Sequence, residues 1–263
     1  MDKKILFFDV DGTIVTADHI IPESAREALH AAQKAGHTLI VNTGRPYRHI
    51  ESQILALGFD GYVCSVGGHI VYNGKSLVHH TIPHEEAVKI RDVGYECGMY
   101  MLFESETGVW MDEAVSAESK YLMIDYSWLV KIGVPSYQNT YRDDFTFDKF
   151  VCWPSPNGDP ERFEAAFSDT LDFIHREHAM MEVVGKGLTK AGGMRTMMQM
   201  LGFAKEDSFA FGDGANDLPM LREAGTSVLM GNAPAYLHKE ADYLTAPITE
   251  DGLAKALKHF DLI

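Results

Sequence analysis

Lys4-Ile5-Leu6-Phe7-Phe8-Asp9-Val10-Asp11-Gly12-Thr13 decides how the rest of this chain is read. A short apolar run stops abruptly at two acids one residue apart, and a glycine follows. A continuous apolar run of this length predicts a buried parallel strand. In open α/β sheets, ligands bind in the crevice beyond the carboxyl ends of the strands. Asp9 and Asp11 therefore belong at the mouth of such a crevice. Residues two apart on a strand point to one side. Past a strand end, the same spacing can instead set one side chain and one backbone carbonyl around a single cation. Asp-Gly is also a turn signal, so the stretch alone reads equally as a turn or as a site.

The same design recurs downstream. Ser208-Phe209-Ala210-Phe211-Gly212 ends at Asp213, with Asn216 and Asp217 within the next turn. Thr38-Leu39-Ile40-Val41-Asn42 ends at Thr43-Gly44-Arg45-Pro46, and a helix is expected over roughly residues 46–57. Backbone N–H groups after Thr43 would then lie near a helix N-terminus, which favours anions. A simple N-cap would explain Thr43, but not Thr-Gly-Arg at the sheet edge that carries the acids. At Gly185-Lys186-Gly187-Leu188-Thr189-Lys190, Thr189 is placed to cap a helix whose first turn holds Lys190. The helix dipole disfavours a lysine there, which points to another task for Lys190.

Bulk properties narrow the field. At 263 residues the chain holds one large domain or two modest ones, and 46% apolar residues can build real cores. A net charge of −15 argues against nucleic-acid binding and against anionic membrane surfaces. It does not forbid a phosphorylated small substrate, because a local cation can reverse the sign inside a pocket. Three scattered cysteines, Cys64, Cys97 and Cys152, form no C-x-x-C pair and suit a reducing compartment. With no signal-peptide layout and no membrane-length apolar run, a cytoplasmic location is expected.

Between the strand ends lie further elements. Pro22 and Glu23 open a helix of roughly 14 residues that Gly36 is placed to end. Strands are expected at 62–64, 70–72 and 77–82, with a tight turn at Asn73-Gly74. Residues 252–259 read as a closing helix. The texture changes from about residue 84, in a region that holds all three tryptophans, Trp110, Trp128 and Trp153. Strands are expected there at 99–104, 108–111, 149–153 and 179–184, and helical periodicity runs from Pro160 to Glu177. The expected architecture is an α/β Rossmann-like parallel-sheet core, residues 1–83 and 185–263, with an inserted α+β cap, residues 84–184. The cap aromatics read as core. His79-His80 and His175 with His178 could be metal sites but read more simply as exposed polar residues, and Met197, Met198 and Met200 as helix packing.

Brought together, these strand ends offer carboxylates suited to Mg²⁺. They also offer a carboxylate able to attack phosphorus, a second carboxyl for proton transfer and a lysine to offset charge. Phosphoryl transfer needs positioning and neutralisation above all. Asp-Val-Asp-Gly-Thr, Thr-Gly-Arg, Lys190 and Gly-Asp-Gly-Ala-Asn-Asp resemble the four motifs of the haloacid dehalogenase superfamily. The long insert, Gly-Leu-Thr-Lys and Glu250-Asp251-Gly252-Leu253 resemble its Cof-type branch.

That resemblance implies Asp9 as nucleophile, Asp11 as acid/base, and Mg²⁺ held by Asp9, Asp11 and Asp213. It places Thr43, Gly44, Arg45, Lys190 and Asn216 around substrate and phosphate, with Asp217 and Gly12 in support. Where relatives often carry Ser-Asn-Gly-Ala, this chain has Ser65-Val66-Gly67-Gly68, so a polar contact near residue 66 is missing or supplied elsewhere. The expected activity is a Mg²⁺-dependent phosphatase for small phosphorylated metabolites, sugar phosphates foremost, acting through an aspartyl-phosphate as a monomer or small homo-oligomer. A sugar phosphomutase and a non-catalytic phosphate- or Mg-binding regulatory protein are the alternatives. Specificity is expected from the cap, with Glu104, Trp110, Asp112 and Trp153 as candidates.

Overall fold

Apolar runs that bury both faces make the central strands. The computed structural model describes residues 2–263. In chain order the first elements are β1 (Ile5–Phe8), α1 (Glu23–Lys34), β2 (Thr38–Asn42), α2 (Ser52–Leu55), β3 (Gly61–Cys64), β4 (His69–Tyr72) and β5 (Lys75–His79). There follow α3 (His84–Glu96), β6 (Met99–Ser105), β7 (Gly108–Trp110), α4 (Glu113–Ser116), α5 (Lys120–Lys131), β8 (Ser136–Tyr137) and β9 (Lys149–Pro154). Next are α6 (Pro160–Phe167), β10 (Leu171–His175) and β11 (Met181–Gly185). The last are α7 (Lys190–Leu201), β12 (Ser208–Gly212), α8 (Leu218–Glu223), β13 (Thr226–Leu229), β14 (Tyr243–Leu244) and α9 (Gly252–His259).

The chain divides into two units. The first comprises the residues up to Gly44, Ser52–Val78 and Thr189–Ile263; the second comprises Arg45–Glu51 and His79–Leu188. In the first, the strand order is β14-β13-β12-β1-β2-β3-β4-β5. Pairing is parallel from β14 to β3, and β4 returns antiparallel to β3. Strand order reverses at β1, between β12 and β2, the switch point at which open sheets bind ligands. Phe8 stacks on its register partner Phe211, ring centroids 4.7 Å apart, which fixes the two strand ends side by side.

Helix α1 buries Ala25, Ala28, Leu29 and Ala32, and left-handed Gly36 (φ 92°) follows its C-cap. Thr189 accepts a hydrogen bond from the Gly192 N–H at 2.9 Å, so it caps α7 as expected. Met197 and Met198 pack into the core, whereas Met200 is half exposed, so the helix-packing reading fails for that residue.

The second unit is a six-stranded sheet of order β10-β11-β9-β6-β7-β8, antiparallel except for the β7–β8 pair. Helices α3 and α6 cover one face over Met101, Phe103, Phe150 and Cys152. Helix α5 covers the other, over Leu102, Val151 and Trp153. Trp110 and Trp153 are core residues, and Asp112 caps α4 through the Ala114 N–H. His79, His80, His175 and His178 are exposed.

Two helical expectations fail. Over residues 46–57 there is a single 3₁₀ turn, Tyr47–His49, then extended Ile50 and the one-turn α2. In this segment Arg45 lies over the Trp128 ring and His49 lies against Glu104. The helix from Pro160 ends at Phe167, and Leu171–His175 is a strand. Leu171 and Ile174 fit the period of a helix face, but antiparallel pairing with β11 claims the segment. Helices α4 and α5 lie in a stretch for which no helix was expected.

Candidate active site

Asp9 directly follows β1 and is 4% exposed. Its N–H donates to the Phe211 carbonyl at 2.9 Å, extending the β1–β12 pairing by one residue. The chain then folds back tightly, with the Ile14 and Val15 N–H groups donating to the Val10 carbonyl. Gly12 sits at φ 75°, and a Cβ there would overlap the Asp213 carboxylate. Glycine is thus required both by the turn and by the approach of the second acid. Asp11 projects from this turn and is exposed.

Lys190, the first residue of α7, is buried and reaches two acids at once. Its Nζ donates to Asp9 Oδ1 at 2.5 Å and to Asp217 Oδ1 at 2.6 Å. The second oxygen of Asp217 accepts the Asp213 and Gly214 N–H groups, each at 3.0 Å. Both oxygens of Asp217 are therefore engaged, which makes it a brace for Lys190 and for the turn after β12. Asn216 lies on that same turn, partly exposed. Helix α7 can start this close because Gly193 and Gly67 lack side chains where they meet.

Thr43 is buried at the end of β2, its N–H on the Val63 carbonyl and its own carbonyl accepting the Val66 N–H. Gly44 ends the first chain segment of the first unit, and Arg45 belongs to the second unit. Ser65, Val66 and Gly67 are all left-handed, at φ 49°, 56° and 92°. Asn tolerates that conformation, whereas for a β-branched residue it is a genuine outlier costing about 1–2 kcal/mol. Val66 thus holds a strained backbone in direct contact with Thr43.

The electrostatics of the site favour a bound cation. Oxygens of Asp9, Asp213 and Asp217 lie within 4.8 Å of one another. Burial, then the charges of Asp217 and Asp11, push the Asp9 carboxyl up to about 8 despite Lys190. Burial and Asp217 likewise push Asp213 up to about 6. Burial opposes the charge of Lys190, but Asp217 and Asp9 outweigh it and hold the ammonium above its usual range. One cation faces a surplus of carboxylates, all hard oxygen donors, and the set fits a divalent metal ion.

Two further residues complete the arrangement and were not singled out from sequence. Asn232, after β13, donates to Asp213 Oδ2 at 2.9 Å and to the Gly12 carbonyl at 3.0 Å, while accepting from the Ile248 N–H. Asn42 donates to the Lys190 carbonyl at 3.1 Å. Each ends or follows an apolar run, as Asp9 and Asp213 do, and that repetition was the available signal.

Residues 6–257 match the model of the haloacid dehalogenase-like hydrolases. YkrA of Bacillus subtilis (strain 168), provisionally named a phosphatase, is 29% identical over the whole of both chains. The 5-amino-6-(5-phospho-D-ribitylamino)uracil phosphatase YcsE of the same organism is 25% identical, over 100% of this chain and 97% of its own. The solved structure of BT4131, a sugar phosphatase of subclass IIB, superposes with a TM-score of 0.80 at 31% identity, over 99% of this chain and 100% of that one. With the fold, the acid cluster and these likenesses in agreement, the chain belongs to the haloacid dehalogenase-like hydrolase family, in its Cof-type branch, as a phosphatase acting on phosphoric monoesters.

Proposed function

We propose that this phosphatase hydrolyses small phosphorylated metabolites, sugar phosphates foremost, with Asp9 as nucleophile and Mg²⁺ as cofactor. The observation that carries the reading is Lys190, buried between Asp9 and Asp217 at the sheet's switch point. Nucleophile and countercharge are thereby held together before substrate arrives. The substrate class is supported by BT4131, titled a sugar phosphatase, and by YcsE, whose named substrate carries its phosphate on a ribityl chain.

In this mechanism a carboxylate oxygen of Asp9 attacks phosphorus and the ester P–O bond breaks. The leaving oxygen takes a proton from Asp11, which stands on the exposed turn where a substrate can reach it. Asp11 then takes a proton from water as that water attacks phosphorus, releasing phosphate and restoring Asp9. Thr43, the Gly44 N–H and Lys190 hold the phosphoryl oxygens, with Arg45 and Asn216 at the rim. Mg²⁺, when bound by Asp9, Asp213 and the Asp11 carbonyl, would neutralise the carboxylates and the incoming phosphate. Asp217 keeps Lys190 aimed throughout.

Three free, buried cysteines fit a reducing, cytoplasmic setting, and among the described residues no helix is long and apolar enough to cross a membrane. A monomer or small homo-oligomer needs nothing further for this chemistry. Phosphate release from a metabolite panel, with and without Mg²⁺, tests the proposal. Activity on sugar phosphates that disappears in Asp9→Asn and in chelator is expected. Turnover surviving in folded Asp9→Asn would overturn the nucleophile assignment.

A further inference from the structure

Arg45–Glu51 packs with the second unit although Gly44 and Ser52, its chain neighbours, belong to the first. Side chains explain why. The Arg45 guanidinium lies over the Trp128 ring, 4.8 Å from its centroid, with Nη1 3.3 Å from Glu51 Oε1. His49 is buried, its Nδ1 3.3 Å from Glu104 Oε2.

Glu104 in turn begins a buried series of alternating charges across the sheet. Its register partner on β9 is Lys149, with Oε1 and Nζ 3.6 Å apart. Lys149 pairs with Glu182 at 2.6 Å, and Arg176 also binds Glu182. Burial alone would raise the Glu104 carboxyl, yet Lys149 and His49 hold it below its usual range. Such a buried series is weak evidence for stability, since apolar residues of similar volume often serve as well. Fixing one geometry is what it can add.

We propose that Glu104 and Trp128 are positioning residues. They hold His49 and Arg45, and so set the Gly44–Arg45 peptide that continues directly from Thr43. This inference rests on the phosphate-binding reading of Thr43, Gly44 and Arg45. Gly44 has no side chain of its own to fix the segment, and Tyr47–His49 is only a single 3₁₀ turn. The shape of the loop therefore depends on what its side chains grip.

The test uses the full chain with Trp128→Leu, Trp128→Phe and Glu104→Ala. The readouts are p-nitrophenyl phosphate kinetics and inorganic phosphate affinity by titration calorimetry. Loss of the ring face should raise KM and weaken phosphate binding about three- to thirty-fold, with kcat changed far less. Trp128→Phe, which keeps a ring face, should recover most of the affinity. Wild-type KM and phosphate affinity in Trp128→Leu would overturn the proposal. Trp128 is half-buried, so this variant decides the matter even if Glu104→Ala fails to fold. A wild-type protein that releases no phosphate would refute the proposed activity instead, while phosphate affinity in the variants would still decide the positioning role.

Discussion

Replacing Asp9 by Asn is expected to stabilise the metal-free protein while ending its turnover. The Asp9 carboxyl lies near 8 in the folded chain against an ordinary 3.8. Between those values the folded state binds a proton that the unfolded state has released. Its contribution to stability therefore falls as pH rises, the reverse of a salt-bridged acid. With each unit worth about 1.36 kcal/mol, the carboxyl destabilises by several kcal/mol at pH 7 and by far less at pH 4. Asn is neutral at both, and its carbonyl can still accept from Lys190. The assay is urea denaturation of both proteins in chelator from pH 4 to 8, followed by circular dichroism. Asn should gain most at neutral pH and almost nothing at pH 4. Added Mg²⁺ should stabilise wild type more than the variant and narrow the gap. An Asn variant no more stable than wild type at pH 7 in chelator, or a gain unchanged at pH 4, would refute the reasoning.

Gly12→Ala should lower both stability, by about 1–2 kcal/mol or more, and turnover, because the new Cβ meets Asp213 from a left-handed backbone; denaturation midpoints and kcat check it. Asn232→Ala should weaken Mg²⁺ activation about 10- to 100-fold with the fold intact, since Asp213 loses the amide that orients it; the Mg²⁺ dependence of turnover reads this out. Glu182 is pulled down to about 2 by Lys149 and Arg176 against the effect of burial. Its contribution, about 3 kcal/mol, is present above pH 4.5 and lost as pH falls toward 2. Fluorescence of the three tryptophans, all in the second unit, should report an acid transition that flattens in Glu182→Gln.

The strand-end positions of Asp9, Thr43 and Asp213 were legible because each closes a short, largely apolar run, and Lys190 stood out because it sits badly at a helix start. These are local signals, and the parallel sheet gathers them at one edge. What stayed hidden depends on partners far away in sequence. Residues 46–57 carry an acceptable helix pattern, but Arg45 lies over Trp128 and His49 against Glu104, contacts more than 50 residues apart that no local pattern shows. Leu171 and Ile174 satisfy both periodicities, and only the presence of β11 settles which one applies. Asn232 follows the apolar run Val228-Leu229-Met230, and its role shows only when Asp213 and Gly12 are brought beside it. The unusual Val66 was visible, and its left-handed backbone shows what an asparagine would have eased there.

The parallel pairing of β1 with β12 has a consequence for biosynthesis. Ile5 must wait for Ser208, about 200 residues behind it on the ribosome. At ~5–20 residues per second, that interval is about 10–40 s. During it the second unit, continuous from His79 to Leu188 apart from one short segment already made, can mature first. Strand β1 meanwhile presents an unpaired edge of backbone N–H and C=O groups on the side that β12 will take, a site open to wrong pairing until that strand is made.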